Sequence, residues 1–180
     1  LGIDYTRGEQ RGDPLPVFRE VEDIFNRDAW FRWRYNIRLQ AALTEHWLKQ
    51  GDADKAVQFA HRLRETAVEN EAWKYVAVAD NLLARNAVAR GNLAEGVTCM
   101  QAALEQLRLH PCPIVTWKIE SACGRAHAEL GDRPKATAAF KRASAIVHEI
   151  AGHVADEQLR TTFLNSPAVR DVIEPPDLTT

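Results

Sequence analysis

Three stretches of the chain place residues in steps of four: Leu39, Leu43 and Trp47; Ala79, Leu83 and Ala87; Ile119, Cys123 and His127. Steps of four hold side chains on one stripe of a helix. Each stretch ends on a glycine, at Gly51, Gly91 and Gly131, forty residues apart each time. Asp52, Asn92 or Asp132 follows, and then a second periodic run. Its aligned positions hold Ala56, Ala60 and Leu63; Gly96, Met100 and Ala103; Ala136, Phe140 and Ala143. Small residues on one face of the second run let it pack closely on the first, because interaxial distance falls with side-chain size.

The pattern predicts helices at 29–50, 53–69, 72–90, 93–109, 114–130 and 133–151. Each glycine suits the left-handed residue that ends a helix, and the Asp or Asn after it can cap the next. Pro134 falls just inside a helix start, where a missing N–H costs nothing. Pro111 and Pro113 break the chain between the second and third units. No stretch has the strict alternation of a strand. The expected fold is all-α, an α-α superhelix: a solenoid of antiparallel helix pairs with short C-terminal capping helices.

The ends differ from the middle. Gly12-Asp13-Pro14 reads as a further copy of the glycine turn, and Leu15 to Asn26 as the second helix of an incomplete unit. The chain opens on Leu1 rather than Met, which reads as a piece of a longer solenoid. Short amphipathic helices are expected at 156–164 and 167–173, covering the last repeat. This divides the chain into 1–28, an extension with a partial repeat helix; 29–152, three helix-pair repeats; and 153–180, a cap and tail. Trp33-Arg34-Tyr35 and Trp73-Lys74-Tyr75 repeat the same interval, while Trp117-Lys118 comes four residues late in the third unit. These aromatics read as packing between units, with Trp47 buried there too.

On these residues the chain resembles the tetratricopeptide repeat family. Matching positions are Leu43-Thr44, Gly51, Ala56, Ala60 and Leu63; Leu83-Ala84, Gly91, Gly96, Met100 and Ala103; Cys123-Gly124, Gly131, Ala136, Phe140 and Ala143. The period of forty exceeds the family's usual thirty-four, and the proline that closes the family's second helix is missing. The segment from Arg160 to Arg170 is similar to the closing part of long repeat regions in bacterial signalling proteins. There the repeats follow a nucleotide-binding ATPase module and often a cyclase, kinase or DNA-binding output domain. That resemblance implies a C-terminal sensor or scaffold portion without the catalytic modules.

Composition narrows the function further. Hydrophobic residues make up 46 % and charged ones 27 %, with a formal net charge of -2. That charge offers nothing to nucleic acid or an anionic membrane, and no apolar run approaches the roughly 20 residues of a membrane span. Cys99, Cys112 and Cys123 are odd in number and form no CxxC, which points to reduced thiols and a cytoplasmic setting. The chain has no GxxxxGK[ST], GxGxxG or GxSxG. His148 and His153 stand five apart, so a helix would point them in different directions, and Arg11-Gly12-Asp13 reads as part of a turn. The expectation is a non-enzymatic protein with no cofactor and no metal.

The resemblance implies a concave groove lined by the first helix of each unit. By register its inward positions fall on Arg34, Arg38, Glu45 and Lys49; Lys74, Asn81 and Arg85; Lys118, Ser121 and Arg125. Cations outnumber acids there, and guanidinium groups bind carboxylates bidentately. The expected partner is a protein or peptide, acidic in character, or another domain of the same polypeptide. Ala41 and Glu45 stand where chaperone-binding relatives clamp a terminal carboxylate, so that activity is not expected. The alternative is a regulatory domain sensing a small molecule through Trp33, Tyr35 and Tyr75. Oligomeric state is left open.

Overall fold

In the computed structural model, residues 13–27 and 32–175 are described. They form α1 (Leu15–Arg27), α2 (Arg32–Gln50), α3 (Ala53–Glu69), α4 (Trp73–Ala89), α5 (Leu93–Leu109), α6 (Pro113–Glu129), α7 (Arg133–Gly152), α8 (Glu157–Leu164) and α9 (Pro167–Ile173). The fold is all-α, with no strand among the described residues. The helices predicted from periodicity appear within a residue or so, except at the start of α2, where residue 29 lies outside the described residues. Gly12, Arg11 and the tail from 176 onward lie outside them as well.

The turns repeat in detail. Gly51, Gly91 and Gly131 have φ of 75°, 85° and 75°, a region a β-carbon disfavours. In each turn the glycine N–H donates to the carbonyl three residues back, at Leu48, Val88 and Ala128. The next N–H donates to Trp47, Ala87 or His127, so the helix end satisfies its own carbonyls. The turn from α3 to α4 makes the same pair of bonds around Glu71, a non-glycine at φ 52°. Asp52 and Asp132 cap the following helices by accepting from the N–H groups of Lys55 and Lys135. Asn92 makes no such bond.

The second helices bury the small-residue face that the sequence marks. Ala56, Ala60, Leu63, Met100, Ala103, Ala136, Phe140 and Ala143 are all at most 3 % exposed. Gly96 shows why size matters: an added β-carbon would lie 2.9 Å from the Ala84 carbonyl oxygen and 2.5 Å from a Val88 methyl. The backbones of α4 and α5 meet too closely for any side chain there.

Layering bends the stack. α2 touches α4 and α4 touches α6, whereas among the described residues no comparable contact joins α3 to α5 or α5 to α7. Layers held closer on one side curve toward that side, so the first helices α2, α4 and α6 line the concave surface. At the C-terminal end Val169 and Val172 of α9 join Trp117, Ala143 and Val147 in one buried cluster. α9 thereby covers the apolar flank that the last pair would otherwise expose. Trp47 departs from expectation. It is half-buried in the N-terminal cluster with Phe18 and Leu43, and the Lys55 ammonium lies 4.0 Å from its ring centroid. A flat ring at a helix end keeps one face for a cation.

Candidate functional site

One stripe of each first helix runs along the concave side at spacing four, three, four, and its long side chains reach solvent while Ser121 does not. On α2 it runs through Arg34, Arg38, Ala41, Glu45 and Lys49; on α4 through Lys74, Val78, Asn81 and Arg85; on α6 through Ile114, Lys118, Ser121 and Arg125. The forty-residue period sets these in rows across the concave face: Arg34, Lys74, Ile114; Arg38, Val78, Lys118; Ala41, Asn81, Ser121; Glu45, Arg85, Arg125. The residues expected in the groove make up this stripe together with Ala41, Val78 and Ile114. Reading the residues had passed over Ile114, 55 % exposed, and Val78, although the row arithmetic points to both.

The rows differ in depth. Ser121 is only 1 % exposed, because its short side chain ends below the level that Lys118 and Arg125 reach. Its hydroxyl is enclosed with no hydrogen-bond partner, as is the Asn81 side-chain oxygen beside it in register. Ser121 therefore belongs to the floor of the groove rather than to its surface. The upper rows carry aromatic supports: Arg34 lies 5.3 Å from the Trp33 ring, Lys74 5.5 Å from Tyr75 and Lys118 5.6 Å from Trp117. The late aromatic–basic pair of the third unit thus makes the same cation–π contact one turn further on.

In the lowest row Arg85 approaches Glu45 at 3.9 Å, too long for a hydrogen bond. Arg125 has no ion pair within that range among the described residues. Burial draws its guanidinium below the ordinary value; Asp171 on α9 opposes that and Arg85 adds to it. Arg38 makes no hydrogen bond or ion pair with any described residue. The aromatic residues do not form a cage. Trp33 and Tyr75 pack against the cluster of Ile37, Leu63 and Leu82, and Tyr35 stacks on Phe25 at 5.9 Å.

The opposite flank of the first helices is arranged differently. Gln40, Asp80 and Glu120 share one row there, and both acids are held by second helices. Arg64 of α3 donates to Asp80 at 2.7 Å, and Arg142 of α7 grips Glu120 with two bonds of 2.8 Å. That grip lifts the Arg142 guanidinium above its usual value. Leu104 occupies on α5 the register place of Arg64 on α3, so no cation reaches Glu120 from that side. A cleft of about 620 Å³ is left between α5 and α7, with Leu104, Leu107, Thr116, Glu120 and Arg142 among its lining residues.

Burial disfavours the charged forms of two imidazoles and one thiol in the interior. Burial lowers the His46 and His127 imidazoles, and burial pushes the Cys123 thiol up to about 12, leaving it unreactive. No group of three His, Cys, Asp or Glu side chains is placed to hold a metal among the described residues. His153 donates from Nδ1 to the Glu149 carbonyl at 2.8 Å. No helix among them is long and apolar enough to cross a membrane. No protein-family model matches the chain, and no curated protein matches it.

Proposed function

We propose that this chain is a non-enzymatic scaffold that holds an acidic segment of a partner protein, or of another part of its own polypeptide, along the concave stripe. One observation carries the reading. Arg38, Arg85 and Arg125 face the hollow without a hydrogen-bonded anion, while Arg64 and Arg142 on the other flank each hold a carboxylate at 2.8 Å or less. Cations without a hydrogen-bonded anion gain most from a guest that brings one. The repeat is read as a lengthened relative of the tetratricopeptide unit, with helices longer by most of a turn. In that reading the chain is the C-terminal scaffold of a bacterial, cytoplasmic signalling protein.

The test is crosslinking and pull-down with the full-length parent protein and its interaction partners. Reversing charge at Arg38 and Arg85 together should abolish capture; capture at the parental level would move the site off the inner stripe. A second reading is supported by the outer cleft, whose volume of about 620 Å³ is that of a small-molecule site. There a metabolite would lodge between α5 and α7 and bias the curvature of the stack. Thermal-shift screening against metabolites addresses it: a hit that shifts melting in the parent and vanishes in Leu104→Arg supports the cleft, and an unchanged hit in that variant removes it.

A further inference from the structure

Beyond the row Glu45, Arg85, Arg125 comes α9, whose Asp171 acts electrostatically on Arg125. Val169 and Val172 pack on Trp117 where the first helix of a following unit would lie, and between them Asp171 is exposed. The inner surface therefore presents acid, arginine, arginine and acid in order. The two central arginines stand on helices that touch, and neither has a carboxylate at hydrogen-bonding distance: Glu45 stops at 3.9 Å. Two like charges set side by side repel even where, as here, both side chains reach solvent, and an anion shared between them relieves both. On the other flank the chain supplies such anions itself, at Asp80 and Glu120. On this one it leaves the central place open.

The flanking acids select the anion. A phosphate dianion seated between the arginines would also face Glu45 and Asp171, whereas a single carboxylate balances the pair with less repulsion. Val78 and Ile114 share the same stripe, and Ile114 offers exposed apolar surface. The fitting guest is thus an extended peptide that alternates acidic and apolar side chains.

We infer that Arg85 and Arg125 form one shared seat for a carboxylate of an acidic–apolar peptide, and that Asp171 on α9 is a resident competitor at the edge of that seat. This rests on the groove reading above and adds the anchor and its regulation. Movement of α9 off Trp117 would remove the competitor and strengthen binding, coupling the C-terminal cap to occupancy.

Fluorescence anisotropy with the intact chain tests it, using a labelled octapeptide of alternating Glu and Leu and its Gln–Leu counterpart as control. Arg85→Gln and Arg125→Gln are each expected to weaken the acidic peptide about tenfold or more, with the double variant little worse than either. Non-additivity is the signature of one seat. Asp171→Asn is expected to tighten binding several-fold, and millimolar inorganic phosphate to compete poorly. Melting curves show whether the variants remain folded, and a double variant carrying Glu at both positions should bind a Lys–Leu octapeptide instead. Losses that multiply in the double variant overturn the shared seat, and unchanged affinity in Asp171→Asn overturns the competitor. If Arg38→Gln and Lys74→Gln weaken the peptide while the Arg85 and Arg125 variants do not, the seat falls and the groove reading stands. If the parent does not bind the acidic peptide, or no inner-stripe change alters binding, both fall.

Discussion

The two flanks of the first helices carry the same kinds of charge and use them oppositely. Away from the hollow, Asp80 and Glu120 are gripped by Arg64 and Arg142 from the second helices, tying one helix to another. Toward the hollow, Glu45 and Arg85 approach but do not bond, and Arg125 stands beside another arginine. The difference follows from what each flank faces. The outer flank meets second helices at close range, so Arg64 and Arg142 come within reach of Asp80 and Glu120. The inner flank meets only the next first helix, whose equivalent residue comes from the same row. Like rows bring like charges together unless the sequence alternates them. Charge on the outer flank ties helices together, and charge on the inner flank makes no hydrogen-bonded pair between Glu45 and Arg85 or at Arg125 among the described residues; the proposed recognition role rests on that difference.

Perturbations should separate the flanks by size. The largest effect belongs to the packing beneath both: Gly96→Ala forces α5 from α4 and should cost about 2–3 kcal/mol in chemical denaturation. A variant as stable as the parent would show that the helices have room to part. Arg142→Ala should cost about 2 kcal/mol, since it strands the Glu120 carboxylate, only 9 % exposed, while solvent around the arginine softens the loss. Arg64→Ala should cost about 0.5–1 kcal/mol, because Asp80 is more open to water, its side chain 20 % exposed. Arg85→Gln with Arg125→Gln should change stability by less than about 0.5 kcal/mol, or raise it slightly by easing repulsion. A loss as large as that of Arg142→Ala would erase the distinction between flanks.

Acid is the mildest probe. His46 and His127 titrate lower in the folded chain than their ordinary value of about 6.5. Below that pH the unfolded state takes up protons that the folded state refuses, so stability should fall as pH drops through and below about 6.5. Melting temperatures between neutral and mildly acidic pH should decline, and the decline should flatten in a His46→Gln, His127→Gln double variant. An equal slope in both proteins would place the titrating groups elsewhere.

Much of this was legible from residue spacing, because helix turns and caps are local. Gly51, Gly91 and Gly131 mark left-handed residues that only glycine adopts readily, and the small residues from Ala56 to Ala143 mark a face that must pack closely. The candidate groove was legible only as a stripe. Spacing put Ser121 and Arg125 together but could not show that a short side chain sinks to the floor while a long one stays in reach of solvent. Trp47 misled for a related reason: its stripe position announces a core residue, yet it lies at a helix end where Lys55 can cover one face. Glu71 was invisible because nothing in a glutamate signals a positive φ; the turn imposes it.

By itself the order of residues determined the helices, their ends and their stacking in pairs, since each depends on neighbours within a turn or on one small-residue face. Only the tertiary structure decided which arginines hold a carboxylate and which stand unbonded, where the cleft opens beside Leu104, and that α9 takes the place of another first helix. Those outcomes depend on distances between residues sixteen to forty or more positions apart, as with Arg64 and Asp80 or Glu45 and Arg85, and curvature of the stack sets such distances.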